Sequence, residues 1–260
     1  MQPVSDASGR FVWFELMTTD VAGAKAFYKQ VIGFETEPFP MGDGTYEMWK
    51  TPNGTNIGGI MVLPEEAKAM GAPPHWLGNL CVANVDAAVA KAKAHGAAVH
   101  MGPFDVPSVG RVAIIADPTG AHLALYQPAD QAPGHGGNPA PGEVGWCELT
   151  SSDPEKAWSF YQDIAGWVET SSMDMGDMGK YRMFGPAGCQ QPIGGMMGLP
   201  PGSPMSAWGF YLTVADFDAA VAAVKEHGGT VLNGPMEVPG GQRIVHFLDP
   251  QGAYVSIVGN

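Results

Sequence analysis

The chain has 260 residues, of which 45% are apolar, and a formal net charge of −13, enough length and apolar content for two domains that each bury a core. So acidic a balance repels phosphate backbones and anionic lipid, which sets nucleic acid and membranes aside as partners. No apolar run approaches the roughly 20 residues that span a bilayer, and MQPVSDASGR lacks the charged and apolar regions of a secretory signal. Cys81, Cys147 and Cys189 fit no metal or redox spacing, so the expected compartment is the cytoplasm.

In chain order, Phe11–Met17 mixes apolar, aromatic and alternating residues and reads as a strand. Asp20 is a plausible N-cap, and Val21, Ala24, Phe27, Tyr28 and Val31 then recur at helical spacing until Gly33. Strands follow near 34–39, 44–51 and 57–63. The same βαβββ order returns: a strand over 75–82, a helix over 85–95 ended by Gly96, and strands near 98–101, 111–116 and 121–127. Asp117-Pro-Thr-Gly120 has the composition of a tight turn.

The chain then repeats itself. Trp13-Phe-Glu15-Leu returns as Trp146-Cys-Glu148-Leu, Phe27-Tyr28 as Phe160-Tyr161, and Ile57-Gly58-Gly59 as Ile193-Gly194-Gly195. Val85-Asp86-Ala-Ala-Val89 returns as Phe217-Asp218-Ala-Ala-Val221, and Asp117-Pro118 as Asp249-Pro250. Residues 131–142, rich in Gly and Pro, separate the copies as a linker. The expected division is a first domain over 1–128, a linker over 129–142 and a second domain over 143–260.

Phe27-Tyr28 before Gly33-Phe34, Val85-Asp86-Ala-Ala-Val89 before Gly96, and Asp117-Pro-Thr-Gly120 before the last strand resemble the vicinal oxygen chelate superfamily. That group includes glyoxalase I, extradiol dioxygenases and bleomycin-resistance proteins. Within it, Trp13–Asp20 and Trp146–Asp153 resemble two-domain bacterial proteins of glyoxalase-like or hydroxylase-like description. The resemblance implies an α+β fold of four βαβββ modules, paired into two cup-shaped, mixed-sheet domains.

The superfamily's metal enzymes chelate a divalent cation with His, Gln or Glu at fixed positions. The resemblance puts those positions at Trp13 and Trp146, at Leu77 and Gly209, and at Ala124 and Ser256. The extra carboxylate of glyoxalase I would fall in 57–63 and 193–199, which hold no carboxylate, His or Gln. Indole and aliphatic side chains do not ligate such ions, so no cofactor is expected at the family metal positions. A divalent metal at a displaced site, held by Glu15 and His122 with Asn79 as a weak third ligand, stays open as the alternative.

Side chains alternate along strands, so residues two apart share a face. The first cup then offers Trp13, Glu15, Asn79, His122 and Tyr126, with Met48 as flexible lining. The second offers Trp146, Glu148, Tyr211, Tyr254 and Ser256, with Met183. Glu15 with His122 is the pair with catalytic reach, a carboxylate orienting an imidazole for acid–base work. The competing and favoured reading has Glu15 accepting hydrogen bonds from Arg111 or backbone groups and His122 as a packed strand residue, since Glu and Arg both recur in the two copies (Glu15/Glu148, Arg111/Arg243). Met173, Met175 and Met178 read equally as a lid or as an exposed loop. His246 and the remaining histidines read as structural.

The expected function is binding of a small aromatic or carbonyl-containing molecule in an aromatic-lined cup, without the usual metal triad. The alternatives are a lyase, isomerase or dioxygenase using Glu15 and His122, and a non-catalytic interaction protein with collapsed cups. A monomer is expected, with a homodimer as the alternative.

Overall fold

In a computed structural model, the structure describes residues 7–41, 44–69, 71–130, 138–176 and 179–260. β1 (Phe11–Thr18) is followed by α1 (Val21–Val31), β2 (Glu35–Met41), β3 (Gly44–Lys50) and β4 (Asn56–Val62). Asp20 caps α1 by accepting from the Gly23 N–H at 3.0 Å. The helix buries Ala24, Phe27, Tyr28 and Val31, the residues that share one face at 3.6-residue spacing. A short α2 (Glu65–Ala69) follows, buries no residue and carries no apolar period to betray it. The second module is β5 (His75–Cys81), α3 (Val85–Ala94), β6 (Ala98–Val106), β7 (Gly110–Ala116) and β8 (His122–Pro128).

The second copy runs β9 (Val144–Ser151), α4 (Pro154–Ala165), β10 (Trp167–Asp174), β11 (Lys180–Pro186) and β12 (Gly194–Gly198). Its last module is β13 (Ala207–Thr213), α5 (Phe217–Glu226), β14 (Thr230–Glu237), β15 (Arg243–Leu248) and β16 (Tyr254–Gly259). The strands form two eight-stranded mixed sheets, ordered β2-β3-β4-β1-β5-β8-β7-β6 and β10-β11-β12-β9-β13-β16-β15-β14. The α+β architecture of four βαβββ modules is therefore present. In each module the first and last strands pair in parallel, as β1 does with β4 and β5 with β8. Such pairing requires a crossover, and the helix supplies it. Gly58 and Gly194 sit in those parallel pairs, where a side chain would collide with the carbonyl oxygens of Phe14 and Cys147. Close backbone approach explains these glycines inside apolar strands. Among the described residues no helix is long and apolar enough to cross a membrane.

By packing, the chain forms two compact units that cut across the sequence repeat. One comprises Met1–Val12, Gly78–Gly136 and Trp146–Trp208; the other comprises Trp13–Leu77, Gly137–Gly145 and Gly209–Asn260. Each unit thus joins a module of one copy to a module of the other. Both are tied by the same buried chain of hydrogen bonds. In the second unit Trp76 Nε1 donates to Tyr28 Oη at 2.9 Å, and Tyr28 donates to Asp249 Oδ2 at 3.1 Å. In the first, Trp208 Nε1 donates to Tyr161 Oη at 2.9 Å, and Tyr161 donates to Asp117 Oδ2 at 3.0 Å. The other oxygen of each aspartate accepts backbone N–H groups of its own turn. The helix tyrosine and the Asp-Pro turn recur together because each tyrosine is held by the turn of the opposite copy. Aromatic rings surround both knots: Phe34 and Trp49 beside Tyr28, Trp167 beside Tyr161.

Candidate functional site

β1 buries Val12, Phe14 and Leu16 and leaves the intervening Trp13 and Glu15 half-buried on its other face. Trp13 Nε1 donates to Tyr46 Oη at 2.9 Å, and Tyr46 donates to Glu15 Oε1 at 3.2 Å. Glu15 lies opposite Gly59 of β4, which lies opposite Met48 of β3. A Cβ on Gly59 would occupy the space of the Tyr46 phenol, so glycine is what lets that ring lie down on the strand. Burial holds the Glu15 carboxyl above the ordinary carboxylate range, and the bond from Tyr46 offsets this only in part. Burial and, after it, the Glu15 charge push the Tyr46 hydroxyl far up, so tyrosine keeps its proton and is the donor.

The second copy builds the same relay. Trp146 Nε1 donates to Tyr181 Oη at 2.8 Å, and Tyr181 donates to Glu148 Oε2 at 2.8 Å. Gly195 makes room for the Tyr181 ring, next to Met183 in the register. Tyr46 and Tyr181 are absent from the residues singled out in the sequence. The signal was available, because each stands two positions before a methionine assigned to the same strand face. The expected bond from Arg111 to Glu15 is corrected by this geometry. Arg111 instead grips Asp86 at 2.7 Å and Asp105 at 2.9 Å, and Arg243 grips Asp218 at 2.9 Å. The recurring arginine thus serves the acidic first turn of α3 and α5, and the recurring glutamate serves the relay.

The other sequence-assigned residues fall into separate groups. Asn79 is buried on β5 opposite Ala124 of β8. Tyr126 is buried with Ala7, Val12 and Cys81, and its hydroxyl donates to the Val109 carbonyl at 3.0 Å. His122 is exposed and stacks on His100, with ring centroids 4.9 Å apart. Glu15 and His122 belong to different compact units, and the hydrogen bond of Glu15 goes to Tyr46. In the second copy Tyr211, Tyr254 and Ser256 gather around His246, a residue that reads as structural in the sequence. Met173 lies in β10, and the Met175 N–H closes a turn onto the Gly179 carbonyl. Met178 and the linker through residue 137, with His135, lie outside the described residues.

The fold resembled by the sequence implies a divalent metal, and the donor set does not fit one. The first implied position is indole in both copies, and each indole N–H already donates to tyrosine. Leu77 and Ala124 are aliphatic, and Ser256 is hydrogen-bonded to His246. Among the described residues no three of His, Cys, Asp and Glu stand close enough together to hold an ion. What the relays offer instead is a half-buried indole beside a carboxylate, and in the first copy that carboxylate, Glu15, holds its proton more tightly than usual.

Compared with known proteins, residues 10–125 and 143–257 match the model of the family described as the Glyoxalase/Bleomycin resistance protein/Dioxygenase superfamily. A Mycobacterium tuberculosis protein named "Putative glyoxylase CFP32" is 36% identical over 95% of this chain and 93% of its own length. The anthracycline biosynthesis protein DnrV of Streptomyces peucetius is 30% identical over 97% of this chain and 94% of its own. Among solved structures, the Mn(II)-bound glyoxalase from Novosphingobium aromaticivorans has a TM-score of 0.65 at 18% identity, covering 97% of this chain and 82% of that one.

Proposed function

The chain belongs to the glyoxalase/bleomycin resistance protein/dioxygenase superfamily, and on that premise we propose that it binds a small planar carbonyl compound at its Trp–Tyr–Glu relays without the superfamily's metal triad. The observation that carries the reading is the relay itself. A half-buried indole stands in both copies where the resemblance puts a metal ligand, and its N–H is fixed by a tyrosine that glycine accommodates. Fixing the N–H sets the orientation of the ring, and an oriented indole is a stacking partner for a planar ligand. The neighbouring carboxylate is a hydrogen-bond acceptor or donor for a ligand oxygen according to its protonation. The name of DnrV points the same way, because anthracyclines are planar, hydroxylated polycyclic ketones. The protein is proposed to act in the cytoplasm as a monomer.

Turnover is the second reading. It is favoured by Glu15, whose raised carboxyl suits it to take up a proton from a carbonyl compound and return it.

Titration with 1,2-dihydroxyanthraquinone tests the proposal through tryptophan fluorescence. Saturable quenching is expected, reduced in Trp13→Phe and Trp146→Phe. In the double variant Glu15→Gln, Glu148→Gln the affinity should fall about tenfold, the scale of one hydrogen bond to a charged group. No quenching, or quenching indifferent to all four substitutions, would contradict the reading.

A further inference from the structure

The last module of the second copy carries a polar cluster that no other module repeats. His246, at the centre of β15, has Nδ1 2.8 Å from Ser256 Oγ and 2.9 Å from Tyr254 Oη. The Tyr211 ring meets the imidazole edge-on at 5.6 Å between centroids. His246 lies opposite Ser256, and Tyr211 lies opposite Ser256 from the other side. At the matching places the first copy has Ile114 opposite Ala124, Asn79 opposite Ala124, and His122 in place of Tyr254. The cluster is therefore not demanded by the fold, which in the first copy has Ile114 and Ala124 where His246 and Ser256 stand.

We propose that Tyr254 and His246 form a proton-transfer dyad, with Tyr254 as the catalytic residue that meets the substrate and His246 as the positioning base behind it. Neutral imidazole has a single in-plane lone pair on the nitrogen without hydrogen. With the hydrogen on Nε2, Nδ1 can accept fully from only one of the two hydroxyls. Ser256 is wholly buried, whereas Tyr254 is 37% exposed, so Tyr254 is the hydroxyl that a ligand reaches. Burial keeps His246 below its ordinary value and hence neutral near pH 7.

The substrate class is a compound with an acidic proton, either a phenol or a ketone with a C–H beside its carbonyl. The substrate's proton moves to Tyr254 Oη as the Tyr254 proton moves to His246 Nδ1. The C–H or O–H bond breaks, its electron pair stays on the substrate as enolate or phenolate, and imidazolium forms. The protons return along the same path to the same or a neighbouring substrate atom, so nothing is oxidised or reduced. Both hydroxyl oxygens can accept from the protonated Nδ1, which lets one geometry serve both charge states. This dyad stands independently of the Trp–Tyr–Glu relays, since it shares no residue with them.

Labelling by an arylsulfonyl fluoride tests the dyad without knowledge of the substrate. The tyrosine oxygen displaces fluoride from sulfur as its proton passes to His246, and peptide mass spectrometry reads the rate at Tyr254. Tyr254 is expected to react at least about tenfold faster than N-acetyltyrosinamide in the same buffer, and His246→Gln should remove that advantage. Glutamine keeps a hydrogen-bonding group but no base, so a merely structural histidine would be rescued by it. Labelling of wild-type Tyr254 no faster than the free amide, or equal labelling in the folded His246→Gln variant, would overturn the proposal.

Discussion

Asp249→Ala is expected to lower stability by about 3–5 kcal/mol, the cost of breaking a buried, charged hydrogen-bond network from one side. Asp249 is 3% exposed. Its Oδ2 accepts from Tyr28, and its Oδ1 accepts from the Gln251 and Ala253 N–H groups at 2.9 Å each. Alanine would leave the Tyr28 hydroxyl without its acceptor and two turn N–H groups without theirs. Trp76 would still donate to Tyr28, so the phenol would be held in place with its own proton buried. Asp249→Asn should cost far less, about 1 kcal/mol, because the amide oxygen keeps the turn and only the Tyr28 bond is compromised. Urea denaturation midpoints of the two variants give the comparison. An alanine variant as stable as wild type would show that the Trp76–Tyr28–Asp249 chain does not hold its unit together.

Glu15→Gln is expected to do the opposite at neutral pH and raise stability by about 1 kcal/mol. Burial raises the Glu15 carboxyl in the folded chain, so the folded state binds this proton more tightly than the unfolded state. The resulting stabilisation is complete below the ordinary carboxylate range and is lost as pH rises through the raised value. Glutamine resembles the protonated form at every pH and still accepts from Tyr46. The stability difference, variant minus wild type, should therefore be small in acid and grow towards neutrality. Carboxylates such as Glu37, Glu47 and Asp86 are held below their ordinary values by Lys50, Lys25 and Arg111, but they are common to both proteins and cancel. A difference that shrinks as pH rises would mean that the Glu15 charge is satisfied in the folded state. The same substitution weakens ligand binding in the proposed function, so Glu15 is a group kept at some cost to stability.

The modules were legible in the sequence because their strands alternate and their helices repeat at 3.6 residues over a duplicated chain. α2 was not, since it buries nothing and so has no apolar period. Tyr28 and Asp249 were each visible as recurring residues, but not their bond: 221 positions separate them, and no local pattern reports pairing across copies. At the site, alternation placed Trp13 and Glu15 on one face of β1, as found. Alternation marks Tyr46 and Met48 alike as residues of one face, and what separates them is chemistry, since a phenol is the group that can serve both an indole and a carboxylate. Recurrence alone offers Arg111 as a partner of Glu15. Recurrence shows that two residues are each kept, not that they meet, and Asp86 recurs just as faithfully. His246 escapes the same signal for the converse reason, because the first copy has Ile114 at its place.

Metal content tests the central claim most directly, the claim that the chain works without a metal triad and that the indole of a Trp–Tyr–Glu relay holds the first of the family's metal positions. The protein should be purified without chelator, exposed to Mn(II), Fe(II) and Zn(II), desalted, and analysed by elemental mass spectrometry alongside His122→Ala. The account predicts no stoichiometric divalent metal in either protein and a denaturation midpoint unchanged by chelator. One tightly held metal ion per chain, with a midpoint that falls when it is removed, would contradict it, and loss of that ion in His122→Ala would place it at a displaced site.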